Sequence, residues 1–244
     1  MADVTAVIPA RNEAKNLPYV LPRIPTWVRE VILVDGNSTD DTVEVARELW
    51  PGIHVVAQAG RGKGDALRAG FCAATGDFIV MLDADGSSDP GEIPLYVGAL
   101  MAGADFVKGS RFLQGGGSLD MTLVRSCGNR VLGWIVQVLF GGRFSDLCYG
   151  YNAFRADALE VLDPRCDGFE IETLLNIRAL RLGLKVMEVP SFEHKRIHGT
   201  SNLRAIPDGW RIVKTILEEW RCSRGASRRP AKERTLLNLP EAPI

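Results

Sequence analysis

Short apolar, β-branched runs alternate along this chain with segments whose apolar residues recur every three or four positions, a pattern that builds a parallel sheet through crossover helices. The runs predict strands over residues 4–8, 30–34, 53–57, 78–82 and 105–108, and the periodic segments predict helices at about 40–49, 63–74 and 90–102. Turn chemistry marks the ends. Asp40 or Asp41 suits the N-cap of the first helix, Gly76 a stop for the second, and Asp89-Pro90 the N-cap and first position of the third.

The second half differs in texture. Gly115-Gly116-Gly117 reads as a flexible link into residues 119–140, whose apolar positions have helical spacing. A helix is expected over 170–182, a strand over 185–189 and an amphipathic helix over 206–220; beyond Ser223 the Arg, Pro and Ala bias predicts a mobile tail. The 119–140 segment exposes Leu123, Val131, Leu132, Trp134, Ile135, Val138, Leu139 and Phe140 on one face. That face fits an interfacial membrane helix, core packing or a homodimer contact.

With 244 residues and 46% apolar content the chain can bury one large core, and a net charge of −1 offers no general attraction to nucleic acid. The charge is unevenly spread. Residues 221–234 hold six basic side chains against Glu233 alone, +5, leaving −6 for the remainder, so the tail also suits anionic lipid headgroups. Five cysteines (Cys72, Cys127, Cys148, Cys166, Cys222) without Cys-x-x-Cys spacing fit reduced thiols, and a cytoplasmic setting is expected. No secretory signal is read at the N-terminus, and the longest apolar stretch, 131–140, is too short to span a bilayer. Any membrane contact is therefore expected to be peripheral, at the inner face.

The strongest chemical signal is Gly76-Asp77-Phe78-Ile79-Val80-Met81-Leu82-Asp83-Ala84-Asp85, in which an apolar strand delivers two carboxylates to its C-terminal end. Ligands of open α/β sheets sit beyond those ends, and paired carboxylates suit Mg2+ or Mn2+ carrying phosphate oxygens. Asp85 is the expected direct ligand, with Asp83 acting through water or on a ribose. The first two strands run into Pro9-Ala10-Arg11-Asn12-Glu13 and Asp35-Gly36-Asn37-Ser38, which places Glu13 and Asp35 to accept hydrogen bonds from a ribose or a base. Gly60-Arg61-Gly62-Lys63-Gly64 opens a helix whose backbone N–H groups, with Lys63, could hold phosphate. Caps and turns account for Ser38, Asp40 and Asp41 equally well.

In this order and spacing these elements resemble family 2 glycosyltransferases with the GT-A nucleotide-sugar fold, and most closely the polyprenyl-phosphate (dolichyl-phosphate) mannose and glucose synthases. The resemblance rests on Pro9-x-x-Asn12-Glu13, Val34-Asp35-x-x-Ser38-x-Asp40-x-Thr42, Lys63-Gly64 with Ala66-Leu67 and Gly70, and Asp83-Ala84-Asp85. It continues through Gly109-Ser110-Arg111, Asp146-x-x-x-Gly150-Tyr151 and Glu188-Val189-Pro190 to Arg196-x-x-Gly199-x-Ser201-x-Leu203, so it spans roughly residues 4–205. Two departures stand out: Gly36-Asn37 replaces the usual Asp-Gly, and Ser87 stands where such synthases often carry Gln.

The resemblance implies a GT-A type, Rossmann-like α/β domain over 1–222 with a mainly parallel central sheet flanked by helices. Its nucleotide-sugar half would be about 1–114 and its acceptor half about 115–222, followed by the amphipathic helix end and a flexible basic tail, 223–244. It implies inverting transfer of a hexose from a GDP-mannose or UDP-glucose type donor to polyprenyl phosphate, with Mg2+ or Mn2+. Pro9, Arg11, Glu13, Asp35, Lys63, Asp83, Ala84, Asp85 and Arg196 would bind the donor, Arg111 and Arg125 the acceptor phosphate, and Asp83, Asp85 and Ser87 the metal. Asp85 and Arg111 would be catalytic, with Asp146 the base should the acceptor be a hydroxyl. His198, four residues after His194, is an additional candidate metal ligand, although Pro190 and Gly199 argue for a loop. Two rival readings remain: the same chemistry on a small soluble acceptor, such as a phosphorylated metabolite or natural product, and a sugar-phosphate nucleotidyltransferase. The latter would normally carry a Gly-rich signature in its first strand-loop-helix unit.

Overall fold

Along β1 (Val4–Ala10) successive side chains enter opposite sides of a sheet, and both sides are dry. Val4, Ala6 and Ile8 join one core with Val31 and Leu33 of β2 (Glu30–Asp35), whereas Val7 joins the other with Ile32 and Val34. Strands buried on both faces require helices on both faces, which is the physical basis of the predicted layering. The computed structural model describes residues 2–200 and 205–226.

Beside β1 and β2 the central sheet contains β3 (His54–Ala57), β4 (Phe78–Met81) and β5 (Phe106–Ser110). Gly117–Ser118 is β6, followed by β7 (Asn152–Arg155), β8 (Val186–Pro190) and β9 (Phe192–Glu193). Seven strands make one sheet in the order β3-β2-β1-β4-β7-β5-β8, and β6 pairs with β9 in a two-stranded parallel sheet. Only β7 runs antiparallel to its neighbours. The helices are α1 (Leu17–Val20), α2 (Thr42–Leu49), α3 (Lys63–Ala73), α4 (Ile93–Met101), α5 (Leu123–Phe140), α6 (Ala156–Leu162), α7 (Ile171–Arg181) and α8 (Ala205–Ala226). Ile93, Tyr96 and Leu100 of α4 and Ala46 of α2 cover one face; Leu67 and Phe71 of α3 and Ile171, Leu175 and Ala179 of α7 cover the other. Val136 of α5, Ile177 of α7 and Ile212 and Ile216 of α8 form a third cluster with Phe144 and Leu147.

The mainly parallel α/β architecture matches the sequence reading, and several local expectations are corrected. Helix α3 ends at Ala73, and Gly76 is no stop signal: two residues before β4, its N–H donates to Thr5 Oγ1 of β1 at 3.0 Å. Asp41 is the N-cap of α2 without a side-chain bond, because it is the Asp40 carboxylate that accepts from Thr42 N at 3.2 Å. Asp89 does cap, accepting from Gly91 N at 2.8 Å, but it starts a 3₁₀ turn that leads into α4. Gly115–Gly117 is no loose link, since Gly117 is the first residue of β6. Helix α8 continues to Ala226, past the end expected at 220 and past the expected start of the tail. Ser201, Leu203 and residues 227–244 of the basic tail lie outside the described residues.

Candidate functional site

Because every strand of the large sheet except β7 points the same way, the C-terminal ends of β1 to β5 and β8 share one edge. A cavity of about 780 Å3 opens there. Pro9 and Ala10 end β1 with Arg11 and Glu13 just beyond it, Gly36 and Asn37 follow β2, and Gln58 with 60–63 follows β3. Asp83, Ala84, Asp85 and Ser87 follow β4, Arg111 follows β5, and Glu193 and Arg196 come from beyond β8. Arg125, Cys148, Tyr149, Gly150, Phe169 and Glu172 complete much of the wall. The structure thus brings Glu13, Asp83 and Asp85 to one chamber.

Two predicted residues stand back from it. The Asp35 carboxylate turns onto Ser38 N at 3.2 and 3.3 Å, closing a local turn, and only its neighbours Gly36 and Asn37 line the cavity. Asp146 is wholly buried and does not line the cavity; both its oxygens accept from Arg111. In this arrangement the carboxylate is held by Arg111 and does not face the cavity.

Beside Asp83 and Asp85, carboxylates and cations neutralise one another in two linked sets. Lys63 Nζ lies 2.5 Å from Asp83 Oδ1 and 2.7 Å from Glu172 Oε1. Burial works against the Lys63 ammonium, but those carboxylates outweigh it and hold the group above its ordinary pKa. Burial raises the Glu172 carboxyl, with Lys63 pulling the other way. Arg196 bridges Glu13 and Asp85, at 3.1 Å from Asp85 Oδ2, and its Nε donates to His198 O at 2.8 Å. Burial raises the pKa of Glu13, opposed by its bonds from Asn16 and Arg196.

The Gly-rich turn is more committed than expected. Gly62 has φ +94, and a Cβ there would overlap the Asp167 carbonyl, so glycine is required by both conformation and space. Gly64 N donates to that same carbonyl at 2.8 Å, Asp65 N at 3.3 Å, and Gly60 N goes to Asp65 Oδ2 at 2.8 Å. These three amides serve the fold, which removes them as a phosphate cradle. Arg11 and Arg61 are exposed on the rim and form no ion pair among the described residues.

At the other end, Arg111 donates from Nε to Asp146 Oδ2 at 2.7 Å, from Nη2 to Oδ1 at 2.9 Å and from Nη1 to Glu193 Oε2 at 3.0 Å. Its guanidinium lies 4.7 Å from the centroid of the Tyr149 ring. Only 7% of the side chain is exposed, and the two carboxylates outweigh burial and keep its pKa raised. Arg125, in the first turn of α5, pairs with Asp120 at 2.9 Å. Beside this pair Leu119, Leu123 and Val124 stand 56%, 86% and 73% exposed.

The side chains expected to hold a divalent ion all offer oxygen. Asp83 and Asp85 share the cavity with Ser87, and among the described residues no cluster of three or more His, Cys, Asp or Glu is close enough to cage a metal alone. That donor set fits Mg2+ or Mn2+, which bind through one or two carboxylates together with substrate phosphates. His198 is exposed, with its ring 5.9 Å from that of Tyr19 and its backbone tied to Asn16. Sequence reading missed Glu172 and Glu193. Glu172 is one of three buried polar residues, with Thr173 and Asn176, on a helix buried nearly all round, so no amphipathic pattern set it apart.

Residues 5–163 match the sequence profile described as Glycosyl transferase family 2. An uncharacterized glycosyltransferase of Mycobacterium tuberculosis is 36% identical over 220 residues, covering 86% of this chain and 97% of its own. The undecaprenyl-phosphate mannosyltransferase of Micrococcus luteus is 32% identical over 216 residues, 82% of this chain and 87% of its own. Among solved structures, glucosyl-3-phosphoglycerate synthase from Mycobacterium tuberculosis, in complex with Mn2+, UDP-glucose and phosphoglyceric acid, superposes with a TM-score of 0.70. It is 26% identical, with 90% of this chain and 80% of that one covered.

Proposed function

The chain belongs to glycosyl transferase family 2, and from that premise we propose that it moves a hexose from a nucleotide sugar to polyprenyl phosphate. Membership sets aside the nucleotidyltransferase alternative. The donor is of the UDP-glucose or GDP-mannose type, with its nucleoside against Gly36, Asn37, Gln58 and Glu13 and its diphosphate toward Asp83 and Asp85. Asp83 and Asp85, with Ser87, would hold Mg2+ or Mn2+, which supplies Lewis-acid neutralisation of the departing diphosphate. Arg196 would exchange its carboxylate partners for diphosphate oxygens as the donor enters.

One observation carries the acceptor assignment: Arg111 and Arg125 share the cavity wall, and three strongly exposed apolar side chains, Leu119, Leu123 and Val124, flank the second of them. A phosphate joined to a hydrocarbon chain satisfies both features at once. An acceptor phosphate is anionic at neutral pH and needs positioning more than deprotonation, which agrees with the burial of Asp146 beneath Arg111. The outward face of α5 continues the apolar surface through Val131, Trp134 and Val138, and its only charges are Arg125 and Arg130. We assign this face to peripheral contact with an anionic bilayer. Among the described residues no helix is long and apolar enough to cross a membrane.

The second reading, a small phosphorylated acceptor, draws support from the structural relative crystallised with phosphoglyceric acid. Incubation with radiolabelled nucleotide sugars and Mn2+, offering undecaprenyl phosphate in one arm and phosphoglyceric acid in the other, separates the two. Label entering the organic phase supports the lipid; label confined to a water-soluble phosphate overturns it.

A further inference from the structure

Beneath the cavity floor, buried polar side chains from four different elements hold the backbone of residues 146–151. Asn129 of α5 accepts from Cys148 N at 3.0 Å, Asn176 of α7 donates to Leu147 O at 2.8 Å, and Asn152 of β7 donates to Gly150 O at 3.3 Å. Lys108 of β5 donates to the Tyr149 carbonyl. Lys108, Asn152 and Asn176 have no exposed surface, and Asn129 has 5%. This loop presents Asp146 to Arg111 and lines the cavity with Cys148, Tyr149 and Gly150.

Three of the four holders are neutral amides, so the fourth raises a question. A neutral donor would serve a carbonyl without the desolvation that a buried ammonium suffers. Lys108 forms no salt bridge among the described residues, and its Nζ lies 5.7 Å from the centroid of the Tyr149 ring. The charged and titratable groups facing it are Asp146 and Cys148 of the loop, Glu172 of α7 and Arg111 after β5. Both carboxylates are already engaged, Asp146 by Arg111 and Glu172 by Lys63. Its charge is therefore directed at the loop carbonyl and at the ring on whose face Arg111 rests.

We propose that Lys108 is a positioning residue: its ammonium clamps the Tyr149 carbonyl and so keeps the 146–151 loop in place under Arg111, and loss of that charge loosens the acceptor end of the site. The proposal rests on the glycosyl-transfer reading for its kinetic consequence, but the clamp itself is independent of substrate. Burial pulls the Lys108 pKa down to about 8, against Asp146 and Glu172, which pull it up. The charge is thus present at neutral pH and lost under mildly alkaline conditions. Cys148, pushed up to about 12 by burial, titrates well above it. Folding responds with the opposite sign. Between the depressed pKa and the ordinary lysine value the unfolded chain binds more protons, so the contribution of Lys108 to stability rises with pH. A merely structural lysine would not make activity fall where its own contribution makes the fold firmer.

The test compares wild type with Lys108→Gln, which keeps a neutral donor, and Lys108→Met, which keeps only the volume. Hydrogen exchange of amides 147–151, corrected for intrinsic rate, is followed from pH 7 to 10 alongside kcat/KM for undecaprenyl phosphate and binding of nucleoside diphosphate with Mn2+. In wild type, loop protection and kcat/KM are expected to fall together around pH 8. In Lys108→Gln the pH 8 step should vanish from both, with at least a tenfold lower kcat/KM at pH 7 and unchanged nucleotide binding. Lys108→Met should lose loop protection at every pH; if it does not fold, Lys108→Gln alone decides. A pH 8 step that persists in Lys108→Gln, or wild-type loop protection that is flat across this range, overturns the proposal. Absence of transfer by wild type overturns the functional reading instead, and the exchange data still judge the clamp.

Discussion

Arg111 grips Asp146 with two parallel hydrogen bonds, 2.7 Å from Nε to Oδ2 and 2.9 Å from Nη2 to Oδ1, with Asp146 wholly buried beneath it. The pair is a strut for the cavity wall on the Arg111 side. Removing the Asp146 charge leaves the buried Arg111 guanidinium with Glu193 as its remaining carboxylate, which puts the cost toward the lower end of the about 3–5 kcal/mol for breaking a buried pair. Asp146→Asn is therefore expected to lower unfolding stability by about 3 kcal/mol and to raise the acceptor KM, both measurable by urea titration and steady-state kinetics. An Asn variant with native stability and abolished kcat would return Asp146 to the role of base.

Asp85 adds little to the core, being partly exposed, and Arg196 is its one ion-pair partner among the described residues. Asp85→Ala should fold with a melting temperature close to wild type and show no turnover. Nucleoside diphosphate should still stabilise it without Mn2+, but the extra shift that Mn2+ gives wild type should disappear. Chelation of divalent ions should silence wild type reversibly.

Glu13 provides a pH signature. Burial raises its carboxyl pKa in the folded chain, so its contribution to stability is present at acid pH and is lost as pH rises through the folded value. Relative to wild type, Glu13→Gln should therefore gain stability on going from about pH 4 to pH 7. Urea midpoints at the two pH values check this; a difference that is constant or reversed in sign refutes it.

The exposed start of α5 supports a surface test. Leu123→Glu with Val124→Glu removes apolar area where both side chains are largely in solvent, so stability should change by less than about 0.5 kcal/mol. Sedimentation with anionic vesicles should fall severalfold, while transfer to a short, water-soluble polyprenyl phosphate persists. Undiminished vesicle binding would move the membrane contact elsewhere.

Much of this arrangement could be read from residue order because it is local. Each parallel strand announces itself by an apolar run, and the residues just past a strand end must lie on the shared edge, which brought Glu13, Asp83, Asp85 and Arg111 into one chamber. Long-range pairing left little local trace. Lys63 meets Glu172 across 109 residues, and Arg196 meets Glu13 across 183, so neither neutralised cation could be told from a free one. The Asn152–Arg155 strand was hidden because four residues, with a polar residue at either end, have neither the length nor the alternation that marks a strand.

That short strand governs how the chain can be divided. β7 is wedged between β4 and β5, joining them in antiparallel pairing, so the N-terminal part of the sheet closes only when residues 152–155 arrive. A fragment ending near residue 114, however complete its nucleotide-binding motifs, would leave Phe78–Met81 as a naked apolar edge ready to recruit other chains. Insolubility of such a fragment, cured by supplying the missing ribbon in trans, would mark this enzyme as one cooperative body whose N-terminal half has no independent existence.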